Sequence, residues 1–259
     1  MPRTIAVANQ KGGVGKTTTS INLAAALAIE GQSVLLVDID PQANATSGLG
    51  VDPKSLARTV YNALINNDNV DSLVIETGVQ GLSLLPSNGH LAGAEVELIE
   101  IEDRTRRLRV VLDGMNHQKY DTILLDCPPA LGFLTINALA AARSVLVPVQ
   151  CEYYAMEGLG RLMESIERIR QSVNPDLEIE GILLTMYDAR NSLARQVTDQ
   201  IRSHFAGKVY DTVIPRNVTL AEAPSYGRPV LLYNMASSGA QAYLSLAKEF
   251  AIHGEKSAR

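Results

Sequence analysis

The chain is poor in sulfur and in large aromatic rings: its 259 residues hold two cysteines, three phenylalanines and no tryptophan. Cys127 and Cys151 lack any metal-type spacing, and so few thiols fit a reducing compartment such as the cytoplasm. No apolar run is long enough to span a bilayer. Met1-Pro2-Arg3-Thr4 leads at once into an apolar segment, which fits no signal peptide. There is no excess of positive charge. Lys and Arg number 23 against 28 Asp and Glu, a formal net charge of -5, so any nucleic-acid contact must come from a local patch. Internal repeats and low-complexity tracts are also missing. What the chain does have is apolar content, 46% hydrophobic, enough for a sizeable core. Its length permits one large α/β domain or two small ones. The reading is one domain over residues 1–252 and a polar tail over 253–259.

The first apolar run, Ile5–Ala8, opens into Asn9-Gln10 and then Lys11-Gly12-Gly13-Val14-Gly15-Lys16-Thr17-Thr18. The ordinary phosphate loop asks for Gly, four residues, then Gly-Lys-Ser/Thr. Gly15-Lys16-Thr17 supplies the end of that pattern. Its first position falls on Gln10, and an additional lysine, Lys11, opens the loop. Gly12, Gly13 and Gly15 let backbone N–H groups turn toward phosphate oxygens with no Cβ in the way. Lys16 places charge on the β- and γ-phosphates, and the Thr17 hydroxyl suits Mg²⁺. Val14 and Thr18 belong to the same nucleotide-binding run, and the following helix aims its positive dipole end at the anion. Lys11 either lies in solvent or reaches a phosphate held by a second subunit; the spacing admits both.

Apolar runs rich in β-branched residues alternate with helix-length segments. The strands are expected at Ile5–Ala8, Val34–Val37, Leu82–Leu85, Ile123–Leu125, Val145–Val149, Ile182–Thr185 and Val230–Leu232. They are continuous rather than alternating, as in strands covered on both faces. Helices are expected over 17–30, ending at Gly31, and over 155–171, 192–205 and 239–252. This alternation predicts an α/β fold with one doubly wound, mostly parallel sheet flanked by helices. Ligands of such sheets sit at the carboxyl ends of the strands. The basic cluster Arg104, Arg106, Arg107 and Arg109 follows five acidic residues between Glu95 and Asp103, which predicts a solvated helix with its own charge pairs.

Acidic residues close two strands near the loop. The second strand ends Val37-Asp-Ile-Asp40-Pro41-Gln42. Asp38 and Asp40 share a face if the strand persists that far, and Pro41 ends it. Asp40 is the candidate for orienting the attacking water, since phosphoryl transfer depends mainly on positioning and charge stabilisation. Either aspartate could instead cap the turn. A later strand ends Leu124-Leu125-Asp126-Cys-Pro-Pro129, where Asp126 either matches the Walker B role, holding Mg²⁺ directly or through water, or caps the turn. Val213-Ile-Pro215-Arg216-Asn217 either holds a base through main chain and the Asn217 amide or is an ordinary strand-to-helix loop. No Asn-Lys-x-Asp guanine motif is visible, which favours ATP over GTP.

The run from Lys11 to Thr18 resembles the deviant Walker A box of the ParA/MinD ATPases. The resemblance covers about Thr4 to Phe250. It includes Val37–Gln42, Asn44-Ala-Thr-Ser-Gly-Leu-Gly50, Leu91-Ala-Gly-Ala-Glu95, Pro148–Tyr154, Asp188-Ala-Arg190, Ile214–Asn217 and Glu222-Ala-Pro-Ser225. Together these are similar to the chromosomal ParA/Soj branch. The resemblance makes Lys11 the signature lysine that crosses a dimer interface to the partner's nucleotide. It links Asp40, in switch I, to hydrolysis and leaves Asp38 structural or near the metal. It opens switch II at Asp126-Cys-Pro-Pro129, and it puts Pro215 and Asn217 at the adenine. It implies slow ATP hydrolysis using Lys11, Lys16 and Asp40, with ATP and Mg²⁺ as cofactors. The implied setting is an ATP-dependent homodimer on non-specific double-stranded DNA, nucleoid-associated in the cytoplasm, stimulated by a ParB-type partner.

Between residues 190 and 216, Arg190, Arg195, Arg202, Lys208 and Arg216 face Asp199 and Asp211. Arg190, Arg195 and Arg216 are the candidate DNA contacts. Relatives often carry an arginine where Thr219 stands here, so the patch either leans more on those three or binds less tightly. No base-reading module precedes the ATPase core. One rival reading is a MinD-like membrane-cycling ATPase, which should end in a basic amphipathic helix; residues 243–252 read instead as the last core helix. A second is a redox ATPase resembling the nitrogenase iron protein, sharing a cluster between copies through Cys127 and Cys151. A third is a nucleotide-gated scaffold forming filaments on DNA.

Overall fold

The computed structural model describes residues 2–257. Eight strands form one sheet: β1 (Arg3–Val7), β2 (Val34–Asp38), β3 (Ile75–Glu76), β4 (Leu82–Leu85), β5 (Thr122–Asp126), β6 (Ser144–Gln150), β7 (Glu178–Tyr187) and β8 (Val209–Pro215). Their spatial order is β3-β4-β2-β5-β1-β6-β7-β8. Every pair is parallel except β3 with β4. The helices are α1 (Lys16–Ile29), α2 (Asn44–Gly48), α3 (Val60–Ile65), α4 (Leu91–Glu97), α5 (Arg107–Asp113), α6 (Phe133–Ala141), α7 (Ala155–Ser172), α8 (Ser192–His204), α9 (Val218–Glu222), α10 (Val230–Tyr233) and α11 (Ser238–Ser257).

The central strands are apolar throughout because both faces are covered. Alternate residues feed two separate cores. Ala6, Leu35, Ile123 and Val145 point into one, with residues of α3 to α8. Ile5, Val7, Leu36 and Leu124 point into the other, with α1 and α11. Helix α1 is small and apolar almost all round, and Ala24, Ala25 and Ala26 are fully buried. It therefore sits as a central helix between the sheet and α11. Gly31, at φ 95, closes it, and the Gly31 and Gln32 amides donate to Ala28 and Leu27 carbonyls.

Four expectations need correction. Val230–Leu232 is helical, not a strand: a short apolar run fits either class, and Pro229 with the Asn22 carboxamide, which accepts from the Val230 amide at 2.7 Å, sets a helix start. The eighth strand is Val209–Pro215, whose Asp211 and Thr212 interrupt its apolar run; Val213 to Pro215 are thus the end of that strand rather than the loop after it. Helix α11 continues to Ser257, so the expected tail over 253–259 is helical as far as that residue, and Ala258 and Arg259 lie outside the described residues. In the basic cluster, Arg109 pairs with Asp113, but Arg104, Arg106 and Arg107 donate to the carbonyls of Ile99, Val173 and Leu64. They tie segments together instead of pairing along one helix.

Tyr210 is fully buried, and a Cβ added at Gly181 would lie 2.4 Å from its ring. Gly181→Ala is therefore expected to cost about 1–3 kcal/mol through overpacking. A lowered urea midpoint measures it, and an unchanged midpoint would show that Tyr210 moves freely.

Candidate active site

The glycine-rich loop leaves β1 at the carboxyl edge of the sheet and is pinned at both ends. The Asn9 carboxamide donates to the Pro148 carbonyl at 2.7 Å and accepts from the Lys11 amide at 3.0 Å. Further on, the Thr185 hydroxyl donates to the Val14 carbonyl at 2.8 Å. Gly13 and Gly15 sit at φ 74 and 86, the left-handed region that favours glycine. A Cβ at Gly12 or Gly13 would meet nothing within 4 Å, so their open side is a cradle and not a packed turn. The N-terminus of α1 rises directly from it, adding its dipole.

The two loop lysines occupy different worlds. Lys16 is 7% exposed and its ammonium donates to the Lys11 carbonyl at 3.3 Å. Burial lowers its pKa, opposed by the charges of Asp126 and Asp40. Lys11 stands on the outer rim, and its Nζ pairs with Glu152 at 2.6 Å. Exposed Tyr153 and Tyr154 follow it there, their rings meeting edge to face.

Parallel register brings the acidic residues together. Asp38 and Asp126 are paired neighbours on β2 and β5, and both are fully buried. Asp38 accepts from the Thr46 amide at 2.8 Å, the Thr46 hydroxyl at 2.7 Å and the Asp40 amide at 3.1 Å. These bonds tie Asp38 to the turn that carries Asp40. The strand ends at Asp38, so Asp40 lies in that turn and not on a shared strand face. Asp40 is 6% exposed and accepts from the Gln42 amide at 2.9 Å.

Asp126 accepts from the Ser20 hydroxyl at 2.7 Å through Oδ1, while its buried Oδ2 has no hydrogen-bond partner. Burial drives Asp126 upward from the usual carboxylate range. The Asp38 charge adds to this, and the hydroxyls of Ser20 and Thr17 oppose it. Burial likewise raises Asp38. An orphaned carboxylate oxygen beside a threonine hydroxyl is a hard oxygen donor set. These residues fit Mg²⁺, and Thr17 and Asp126 would hold it.

A family model described as "AAA domain" matches residues 2–179. The sporulation initiation inhibitor protein Soj of Bacillus subtilis is 53% identical over 98% of this chain and 100% of its own. The chromosome partitioning protein ParA of Caulobacter vibrioides is 52% identical over 95% and 93%. The chain belongs to the ParA/Soj family of P-loop ATPases. Among solved structures, cobyrinic acid a,c-diamide synthase from Mycobacterium smegmatis, with bound ADP and magnesium, superposes with a TM-score of 0.86. It shares 38% identity over 100% of this chain and 97% of that one.

Two further regions of this ParA/Soj ATPase bear on the sequence expectations. The Asn217 carboxamide is already engaged: it accepts from the Leu220 amide at 3.1 Å, capping α9, and donates to Ser238 at 2.9 Å. Pro215 and Asn217 do lie at the carboxyl end of β8. The five basic residues between 190 and 216 split. Arg190 and Arg216 lie just beyond the ends of β7 and β8, the Arg216 amide donating to the Tyr187 carbonyl at 3.0 Å, and Arg195 is in the first turn of α8, which follows β7. Lys208 precedes β8, and Arg202 reaches Asp211. Arg190 forks onto Asp188, which it holds down to about 2.

Sequence reading missed Asn9, Ser20, Thr46 and Thr185. The available signal was a polar residue just after an apolar strand, as at Asn9; Thr185 lies within β7 and offered none. Ser20 and Thr46 lie inside helices and offered none.

A carboxylate whose folded pKa is raised stabilises below its unfolded pKa, and that contribution is lost as pH rises through the folded value. The nucleotide-free protein should therefore lose stability from pH 5 to pH 8, and Asp126→Asn should flatten that slope. The variant should be more stable at pH 8 by on the order of 1–3 kcal/mol and gain no protection from Mg²⁺-ATP. Thermal unfolding across pH tests this; a variant no more stable than wild type at pH 8 would overturn the burial assignment.

Proposed function

We propose that this chain partitions DNA as an ATP-dependent homodimer, in which each copy lends Lys11 to the other's nucleotide. The carrying observation is the separation of the two loop lysines. Lys16 fills the interior of the cradle, while Lys11 stays on the rim with its ammonium turned to Glu152. A lysine with no work in its own cradle is placed to serve a second one.

In this reading the loop amides, Lys16 and the α1 dipole bind and orient the triphosphate. Bound magnesium neutralises phosphate charge. Asp40 orients the attacking water, held by the turn that Asp38 anchors. Nucleotide switches without a well-placed activating group turn over at about 10⁻⁴ to 10⁻² per second, and intrinsic turnover here is expected in that range, rising with a partner. The ParA and Soj relatives are named for chromosome partitioning and sporulation control, which supports a ParB-type partner and nucleoid association. Pro215 and the main chain beside it are assigned to adenine, with Asn217 shaping that segment as a cap.

DNA binding is assigned to Arg190, Arg195 and Arg216 at the carboxyl edge. Arg190 must exchange Asp188 for a phosphate. Dimerisation doubles the patch, so binding through several phosphates becomes avid only with ATP. The membrane-cycling alternative is weaker. The apolar face of α11, with Ala240, Tyr243, Leu246, Ala247 and Phe250, is already buried. The shared-cluster alternative also lacks support, because Cys127 and Cys151 are both buried inside the protomer.

Light scattering and gel shift on random-sequence DNA test the reading. Lys11→Ala should bind ATP and remain monomeric. Asp40→Ala should retain ATP and accumulate as a DNA-bound dimer. If Asp40→Ala saturated with Mg²⁺-ATP stays monomeric at all concentrations, the dimer mechanism is wrong. Arg195→Ala should reduce the slope of log affinity against log salt by about two, one phosphate per protomer. An unchanged slope would place DNA elsewhere.

A further inference from the structure

Two loops flank the cradle: the turn carrying Asp40, and residues 127–132, which follow Asp126. A single segment touches both. At one end, the Ser87 hydroxyl donates to the Asp40 carbonyl at 2.8 Å, and the Ser87 amide donates to Thr46 at 2.9 Å. The chain then turns through Asn88, whose carboxamide accepts from the His90 amide at 3.1 Å, and enters α4. From α4, the half-buried Glu95 carboxylate reaches the start of α6. It accepts from the Phe133 amide at 2.7 Å and the Leu134 amide at 3.2 Å.

This contact lies where the 127–132 loop becomes helix. Pro128 and Pro129 have no amide to donate, and residues 129–131 are exposed. The loop is held at its ends instead. The Cys127 amide donates to Val7, the Thr135 hydroxyl donates to the Ala130 carbonyl at 2.6 Å, and Glu95 clasps the first two amides of α6. A Cβ at Gly132 would lie 2.4 Å from Glu95 Oε1, so a larger residue there must push the carboxylate aside. The Gly132 φ of -90 is open to any residue, so the glycine serves space and not backbone freedom. A negative charge at a helix N-terminus satisfies orphan amides and complements the dipole.

We infer that Glu95 is a positioning residue for ATP hydrolysis, coupling the Asp40 turn to the loop after Asp126 through α4. It touches no reacting group. It fixes where α6 begins, so the far end of the 127–132 loop keeps a set position relative to the Asp40 turn, which Ser87 holds at the other end of the same segment. The inference rests on the proposed ATPase function and extends it to a residue outside the phosphate loop and both aspartates.

The test uses the full chain as wild type, Glu95→Ala, Glu95→Gln and Gly132→Ala, with basal turnover on random-sequence DNA, ATP affinity, thermal midpoint and amide hydrogen exchange. Glu95→Ala should lower kcat by roughly ten- to a hundredfold with KM for ATP within about twofold, since loss of positioning acts on the reacting geometry. Exchange at Phe133 and Leu134 should accelerate, and the ATP-to-ADP difference in exchange over 127–131 should shrink. Glu95→Gln keeps an acceptor oxygen and should recover part of kcat. Gly132→Ala displaces the carboxylate and should match Glu95→Ala, which keeps the inference open to refutation if one variant folds poorly. A kcat per folded molecule equal to wild type in Glu95→Ala, with faster exchange at Phe133, would reduce Glu95 to a helix cap and overturn it. Absence of turnover in wild type with Mg²⁺-ATP would instead remove the proposed function and this inference with it.

Discussion

Asp126 is a carboxylate sealed from water with one oxygen that no protein donor claims. Removing an ion from water is costly unless hydrogen bonds or an opposite charge answer it. Here the nearest carboxylate neighbour makes matters worse, because parallel register sets Asp38 beside it. Lys16 contributes attraction, yet its own burial weakens the hold on its proton. The site therefore stays electrostatically incomplete within the polypeptide. A divalent cation with a triphosphate completes it, and that requirement links folding energetics to ligand choice.

Everything around Asp126 serves to keep that arrangement in register. Strands β1, β2 and β5 are apolar on both faces, so sliding any of them would expose one core or the other. Their carboxyl ends consequently deliver the glycine loop, Asp38 and Asp126 to one edge. Asp38 accepts three donors and spends its charge on the turn that follows. Two adjacent buried aspartates thus differ: one accepts three donors and shapes the backbone, the other keeps an oxygen unclaimed, where the proposed reading puts the metal. The division is set by local donors and not by position along a strand, since both residues terminate theirs.

The fold was legible in the sequence wherever a long apolar run met a turn. Six of the central and flanking strands announce themselves in this way, because burial on both faces demands continuity. Val209–Pro215 did not, since it lies at the sheet edge and tolerates Asp211 and Thr212. Val230–Leu232 misled because three apolar residues carry no period that separates helix from strand. The phosphate loop and the Asp126 position were legible because glycine and lysine in that order have few other uses. The division of labour between Asp38 and Asp40 was only partly visible: the composition of the turn could be read, but not that Thr46, six residues beyond Asp40, would fold back onto Asp38. Partners distant in sequence, such as Thr185 for the loop or Glu95 for α6, have no local signature at all.

The Lys11–Glu152 pair bears on how such a protein changes partners. Both side chains are close to half exposed, 43% and 49%, and ion pairs in that setting contribute only about 0–1 kcal/mol. Breaking the pair thus costs little. What Lys11 gains in exchange, on the proposed reading, is a phosphate carrying more charge than a carboxylate, in a site that a second copy would close to water. Coulomb attraction strengthens as water is excluded, so the same lysine is weakly held on the open protomer and strongly held across a closed interface. Glu152 then keeps the side chain extended along the rim until that interface forms. Such an asymmetry needs no conformational rearrangement of the fold. It needs only that the outer lysine be kept out of its own cradle, and the occupation of that interior by Lys16, whose ammonium already rests on the Lys11 carbonyl, ensures this.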